Sequence, residues 1–162
     1  MKKLILLLFI PLVSFGQFTI DKYAGYSNMN YDEKGIVFAV EKIDNGIITS
    51  NFIIKENDDW SFTFLTNKEY IENQINSDEY ENVLKSFYTD SNIIMKKDFY
   101  FKSVGNVFMI VYSYKEGEIG LVNTVFQFIK NNKLYTATGS SVRNNYRENF
   151  DDYKSMIDSI KF

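Results

Sequence analysis

The chain has 162 residues and a formal net charge of −3, and it contains 15 Phe, 12 Tyr and 1 Trp but neither histidine nor cysteine. This length suits one domain with a core that needs no disulfides, and the acidic balance argues against nucleic acid or an anionic membrane surface as a partner. Without histidine or cysteine, the chain lacks the usual neutral-pH base, a thiolate nucleophile and the preferred zinc ligands. We therefore predict no cofactor and no metal site.

The beginning of the chain has the pattern of a secretory signal peptide. Two lysines precede an apolar run from residue 4 to 13, and small residues occupy the third and first positions before Gln17. Signal peptidases recognise this arrangement, and ten apolar residues are too few to span a bilayer. We predict a signal peptide at residues 1–16 and no membrane insertion after its cleavage. Because no cysteine is available for acylation, the product is expected to be exported and soluble, in the periplasm or outside the cell.

The next part of the chain is predicted to form strands. A polar arm at residues 17–34 carries Tyr23, Tyr26 and Tyr31, and the chain does not say whether they pack on a sheet or recognise a partner. Apolar alternation then predicts strands at 35–43 and 47–55, joined by an Asn-Gly turn that tolerates the positive φ values of a hairpin. The second of these strands has apolar residues on both faces and is expected to be central and covered on both sides. A third strand is predicted over residues 60–65.

The middle of the chain changes to a helical period. A short helix is predicted at residues 67–76, and Ser77 is the expected N-cap of a second helix that runs to about Tyr88 with acidic residues in its first turn. Strands return at residues 93–104 and 107–114. Helices grouped between runs of strands with short links favour an antiparallel α+β sheet over alternating parallel units.

The end of the chain is predicted to be a hairpin followed by a helix. Strands at 121–130 and 133–140 flank Asn131-Asn132, and the helix that follows starts with a candidate capping box of Asn145 and Glu148. Its apolar side chains recur at the spacing of one helix face; they are Tyr146, Phe150, Tyr153, Met156, Ile157 and Ile160. This amphipathic helix is expected to close the domain by lying on the sheet, and residues 17–162 are predicted to form one α+β domain.

Two stretches of this C-terminal half resemble the PsbP-like and DcrB-like proteins. Residues 132–138, Asn-Lys-Leu-Tyr-Thr-Ala-Thr, resemble the last strand of that group, and residues 156–162, Met-Ile-Asp-Ser-Ile-Lys-Phe, resemble its closing helix; Gly105 and Tyr112-Ser113-Tyr114 fit the pattern loosely. The resemblance covers residues 93–162. It implies an antiparallel sheet sandwiched by helices (an α/β/α sandwich) and a non-catalytic extrinsic or periplasmic accessory protein. No site residue of the family is carried over, and the lipobox cysteine of its lipid-anchored members is missing.

The two arginines of the chain are the most specific polar feature. Arg143 and Arg147 flank the start of the closing helix, where guanidinium groups and the helix N-terminus both favour an anion. They would bind an acidic partner or a small anion. The alternative is that Arg147 pairs with Asp151 one turn later and that Arg143 is solvated.

The other candidate residues can also be explained by a structural role alone. Trp60 either anchors a sugar ring or a protein partner, or covers the edge of the core at a strand end. Asp58-Asp59 and Asp151-Asp152 are the nearest candidates for a catalytic pair of carboxylates, but adjacent residues point to different faces. A calcium site near residues 56–59 would lack the glycine and the alternating oxygen ligands of a calcium loop.

Together these patterns predict an exported accessory protein of the cell envelope that binds an unidentified protein partner or assists assembly. Two alternatives stay open. One is a carrier of a small lipid or sugar with an aromatic pocket between sheet and helix. The other is a carboxylate-dependent hydrolase of envelope polymers, which requires two acids facing one cleft.

Overall fold

The structure is a computed structural model that describes residues 18–21, 24–57, 64–88 and 90–162. The predicted signal peptide, Tyr23, Trp60 and most of the strand predicted at 60–65 lie outside these residues, and Phe64 and Leu65 belong to no strand. The elements in chain order are β1 (Tyr26–Asn28), β2 (Ile36–Asp44), β3 (Ile47–Asn57), α1 (Asn67–Asn76), α2 (Glu79–Phe87), β4 (Asn92–Phe101), β5 (Gly105–Glu116), β6 (Ile119–Lys130), β7 (Lys133–Val142), a 3-10 turn (Arg143–Asn145) and α3 (Tyr146–Asp158).

The strands form one antiparallel sheet in the order β1-β2-β3-β7-β6-β5-β4. After β3 the chain crosses to the far edge through α1 and α2, and the meander from β4 to β7 returns to pair with β3. The two predicted tight turns are confirmed: Asn45 and Gly46 have φ values of 51° and 79°, and Asn131 and Asn132 have values of 51° and 61°. Positive φ at both central residues matches the twist of the flanking strands.

The closing helix α3 covers one face of the sheet, as predicted. Tyr153, Met156 and Ile157 are fully buried on this face, where the Tyr153 ring stacks on Phe52 with centroids 5.4 Å apart. Full burial of such a side chain stabilises the fold by roughly 1.5–3 kcal/mol. The same core reaches Phe162, whose ring packs edge-on against Tyr135.

Helices α1 and α2 pack on the opposite face and produce the predicted α/β/α sandwich. Tyr70 and Ile71 of α1 and Leu84 of α2 are buried against Phe108 and Ile110 of β5. This second layer lies over β4, β5 and β6. The prediction that β3 is covered on both sides is therefore wrong: the strand is interior, but none of its described residues joins the core under α1 and α2, and Ile48 on that face is 48% exposed.

The N-termini of the helices show which of the predicted capping residues are correct. Helix α1 has the bounds predicted for it and begins with a capping box, in which Thr66 Oγ1 accepts from the Glu69 N–H (3.2 Å) and Glu69 Oε2 accepts from the Thr66 N–H (2.9 Å). The N-cap of α2 is Asp78, and Ser77 Oγ instead accepts from the Glu79 N–H. The capping box predicted at Asn145 is wrong, because a 3-10 turn leads directly into α3 and the Asn145 side chain makes no cap hydrogen bond.

The strand β4 ends at Phe101, three residues earlier than predicted, because residues 102–104 form the turn before Gly105, whose φ is 85°. No helix in the described part of the chain is long and apolar enough to cross a membrane.

Candidate functional site

A buried polar network fixes the N-terminal half of α3 to the sheet. Ser50 Oγ lies 2.6 Å from the Tyr153 hydroxyl and 3.1 Å from the Tyr26 hydroxyl, and Asn149 Nδ2 donates to Ser141 Oγ at 2.8 Å. Burial raises the pKa of Tyr26 to about 12 and raises the pKa of Tyr153 as well. Both phenols therefore stay neutral at ordinary pH, and the network supports structure rather than a nucleophile.

A cluster of charged side chains lies on the same side of α3 and joins the helix to β2. Lys42 Nζ lies 2.8 Å from Glu148 Oε1 and 3.8 Å from Asp152 Oδ2. The hydrogen bond from Lys42 lowers the pKa of Glu148, whereas burial raises the pKa of Asp152 although Lys42 opposes the shift. Glu148, predicted to cap the helix, instead ties α3 to β2.

An open cleft of about 1020 Å³ lies between the edge strand β4 and the C-terminal half of α3. Aromatic residues of β4 form one wall, and charged residues of α3 and its C-terminal extension form the other. The lining residues are Asp21, Phe99, Tyr100, Phe101, Lys102, Asp151, Lys154, Ser155, Asp158, Ser159, Ile160 and Lys161.

The aromatic wall of the cleft packs partly against the hydrophobic core. The rings of Phe99 and Phe101 lie 4.9 Å apart, and Phe101 packs edge-on against Phe126 at 5.8 Å. Tyr100 lies between them in the strand, also lines the cleft and is 66% exposed. An aromatic side chain exposed to this degree beside a cleft is a typical contact residue of an interface.

The charged wall is organised by local pairs. Asp151 Oδ1 lies 2.6 Å from Lys154 Nζ, and Asp158 Oδ1 accepts from the Lys102 N–H at 2.8 Å. The hydrogen bond from Lys154 lowers the pKa of Asp151, so this carboxylate is ionised and unsuited to act as a general acid. Three carboxylates thus line one cleft, but at least two of them already have close partners.

The adjacent carboxylates of α3 do not share this cleft. Asp151 faces the cleft, whereas Asp152 faces Lys42 on the other side of the helix. The prediction that these two residues point to different faces is confirmed. Within the described ranges there is also no group of three or more acidic side chains placed to hold a metal ion.

The two arginines predicted as a site lie at the N-terminal end of α3, whereas the cleft borders the C-terminal half of this helix. Arg143 lines a separate cavity of about 430 Å³ beside Ile119, and Arg147 is exposed. The ion pair considered for Arg147 is not formed, because Asp151 pairs with Lys154 and Arg147 adds only a weaker attraction. Neither arginine has an ion pair with another described residue. Trp60, the third candidate, is not among those residues.

The cleft residues of β4 were missed as a site by sequence reasoning. A signal was present: Phe99-Tyr100-Phe101 is a run of three aromatic residues in a predicted strand, and successive residues of a strand point to opposite faces. Whichever face is buried, at least one of the three rings faces outward. Only the strand order shows that this strand is at the edge of the sheet.

The comparisons with known proteins show likeness of fold. No protein-family model and no curated protein sequence matches the chain. LpqN, which is involved in cell envelope biogenesis of Mycobacterium tuberculosis, superimposes with a TM-score of 0.59 at 7% identity, covering 93% of this chain and 86% of LpqN. PA94 from Pseudomonas aeruginosa, a protein of unknown function, gives a TM-score of 0.58 at 10% identity over 91% of this chain and 98% of its own.

A protein from Bacteroides thetaiotaomicron VPI-5482 gives a TM-score of 0.52 at 13% identity; the match covers 90% of this chain but 44% of that protein. PsbP (CyanoP) from Synechocystis sp. PCC 6803 is also matched, with a TM-score of 0.49 at 10% identity over 92% of this chain and 94% of its own. With its single antiparallel sheet between helices and its closing helix, the chain has the α+β sandwich that the resemblance to PsbP-like and DcrB-like proteins implied.

Proposed function

We propose that this chain is an exported, non-catalytic accessory protein of the cell envelope that binds a partner protein at the cleft between β4 and α3. The signal-like N-terminus supports export. LpqN, which shares the fold at low identity, is involved in cell envelope biogenesis, and this is consistent with the proposed setting.

The observation that carries the proposal is the composition of the cleft. Its wall on β4 exposes Tyr100 beside the half-buried Phe99, and its rim carries lysine and aspartate side chains. Protein interfaces are enriched in aromatic residues at their centre and are polar at the rim. A cleft of about 1020 Å³ that is open to solvent suits part of a protein surface better than a buried small ligand.

The contacts around α3 favour binding over the two alternatives. A carrier with a pocket between sheet and helix needs space under α3, but Phe52, Tyr153 and Ile157 fill that interface and are fully buried. A hydrolase needs a protonated carboxyl and a second carboxylate in one cleft. The pKa of Asp151 in the cleft is lowered, and Asp152, whose pKa burial raises, faces Lys42 on the other side of α3.

Site-specific photo-cross-linking tests the proposal. The signal-processed protein would carry p-benzoylphenylalanine in place of Tyr100 and be exposed to the envelope fraction of its own cells. Phe87 of α2, which is 77% exposed, is the matched control position because it is also an exposed aromatic residue but lies on α2, away from the cleft. A discrete protein adduct from position 100 and none from position 87 would support the proposal. Absence of an adduct at 100, or turnover of envelope polymers that Asp158→Asn abolishes, would refute it.

A further inference from the structure

A row of polar side chains crosses the face of the sheet that lies opposite α3. Helices α1 and α2 cover this face over β4, β5 and β6, whereas Ile48 of β3 is 48% exposed on it. Asn51 of β3, Ser140 of β7, Asn123 of β6 and Tyr112 of β5 are direct neighbours in the sheet. With strands about 4.8 Å apart, the row extends about 10 Å from its first residue to its third.

Asn123 is buried in this row with one of its two polar atoms unpaired. The residue is 6% exposed, and its Nδ2 donates to the Tyr112 hydroxyl at 2.9 Å. Its Oδ1 has no hydrogen-bond partner among the described residues. Turning the amide over would exchange the two atoms and leave the other one unpaired. Because an unpaired buried polar atom destabilises a fold, this atom is expected to meet a hydrogen-bonding group from outside the chain.

The unpaired oxygen is directed away from β5. Burial raises the pKa of Tyr114 to about 12, and a hydrogen bond from Asn123 opposes this shift. The NH₂ group of Asn123 is thus directed at two phenols of β5, those of Tyr112 and Tyr114. Since the two polar atoms of a carboxamide diverge from one carbon, Oδ1 lies on the side of β7, where the neighbour of Asn123 is Ser140.

An open cavity of about 200 Å³ lies at this point of the face. Asn51 and Ser140 line it; both residues are half-buried, and neither side chain has a hydrogen bond with another described residue. Tyr114 also lines the cavity, and its ring packs against Tyr88 with centroids 4.2 Å apart. Of the described lining residues, Glu116 alone is charged. The volume is below the roughly 300–1,000 Å³ of sites for drug-sized ligands, so it suits one small unit.

We propose that this cavity binds a neutral sugar unit through the side chains of Asn51, Ser140 and Asn123. A sugar presents hydroxyl groups that each donate and accept, so a hydroxyl satisfies the amide of Asn123 in either orientation. The ring of Tyr114 offers an apolar surface to the C–H groups of the sugar. The carboxylate of Glu116 disfavours an anionic sugar.

This site is separate from the cleft between β4 and α3. It lies on the other face of the sheet, and none of its lining residues lines the cleft. The inference therefore goes beyond the proposed function and does not depend on it.

NMR spectroscopy of the ¹⁵N-labelled protein tests the proposal, because the side-chain amide signals of Asn51 and Asn123 report on the site directly. The probes are the methyl glycosides of glucose, galactose, mannose and N-acetylglucosamine, with the methyl glycoside of glucuronic acid as the anionic counterpart. At least one neutral glycoside should shift both signals with a dissociation constant of roughly 1 mM, as expected for ligands of this size. The glucuronide should bind about threefold more weakly.

Substitutions at the site should change this affinity in a specific way. Asn51→Ala and Asn123→Leu should each weaken binding about fivefold, the loss expected for one hydrogen bond; if Asn123→Leu does not fold, Asn51→Ala alone is decisive. Glu116→Gln should remove the difference between neutral and anionic glycosides. Asn82→Ala, which changes an exposed asparagine on α2, is the matched control and should leave the affinity unchanged.

Four results would overturn the inference. If no neutral glycoside shifts the amide signals, an ordered water is sufficient to satisfy Asn123 and the cavity is no sugar site. Equal affinity in Asn51→Ala and the wild type would place the sugar elsewhere, and a glucuronide that binds as tightly as the neutral glycosides would exclude the proposed class. Loss of binding in Tyr100→Ala would move the sugar to the cleft beside β4.

Discussion

Gly139 provides the sharpest test of how α3 lies on the sheet. A Cβ atom at this position would lie 2.4 Å from both Cδ2 and Cε2 of the Tyr153 ring and 2.7 Å from its Cγ. The ring cannot withdraw easily, because it is fully buried, stacks on Phe52, and its hydroxyl donates to the Ser140 carbonyl at 2.8 Å. The substitution Gly139→Ala therefore forces the ring, and with it α3, away from β7.

The expected cost follows from these contacts. Overpacking a filled core costs about 1–3 kcal/mol, and displacing the Tyr153 hydroxyl from its hydrogen bonds adds about 1 kcal/mol for each bond lost. Replacing a strand glycine by alanine regains roughly 0.5–1 kcal/mol of chain entropy. We expect Gly139→Ala to lower the free energy of unfolding by about 2–4 kcal/mol, or the melting temperature by roughly 10 °C.

Urea denaturation of the purified protein measures this change. Gly120→Ala in the neighbouring strand β6 is the matched control, because its Cβ would meet Arg143 at 3.6 Å, an ordinary contact, and should change stability by less than about 0.5 kcal/mol. In a Tyr153→Ala background Gly139→Ala should cost far less than in the wild type, as a double-mutant cycle detects. A Gly139→Ala protein as stable as Gly120→Ala would refute the placement of Tyr153 over β7.

Three further outcomes are expected. Thr66→Ala should lower stability in urea denaturation by about 1 kcal/mol because Thr66 caps α1, whereas Asn145→Ala, which removes no cap hydrogen bond, should have little effect; equal losses would contradict the caps assigned here. Burial raises the pKa of Tyr26 to about 12, so the hydroxyl loses its proton at a lower pH in the unfolded chain than in the folded one. The free energy of unfolding should therefore be unaffected below pH 10 and fall as the pH rises from 10 to 12. In Tyr26→Phe this fall, followed by urea denaturation at each pH, should be smaller. The double variant Arg143→Ala, Arg147→Ala should retain the adduct formed from position 100, because neither arginine lines that cleft; loss of the adduct in a folded variant would move the binding site to the start of α3.

The regions that the sequence predicted well are those governed by neighbouring residues. The hairpin turns at Asn45-Gly46 and Asn131-Asn132 follow from the tolerance of Asn and Gly for positive φ, and the bounds of α1 follow from Thr66 and its apolar period. The capping box at Asn145 failed where the same type of motif at Thr66 succeeded. The difference is tertiary: Lys42 binds Glu148 and draws it away from the helix start.

By itself, the sequence determined the α+β class, the amphipathic face of α3 and the absence of histidine and cysteine chemistry, since these depend on composition and on periodicities of a few residues. Only the tertiary structure decided which strands are neighbours, because β3 and β7 are far apart in sequence and their pairing depends on the path of the whole chain. The same path leaves β4 at the edge and exposes Tyr100 there. The candidate site lies at that edge, where distant parts of the chain meet to form its two walls.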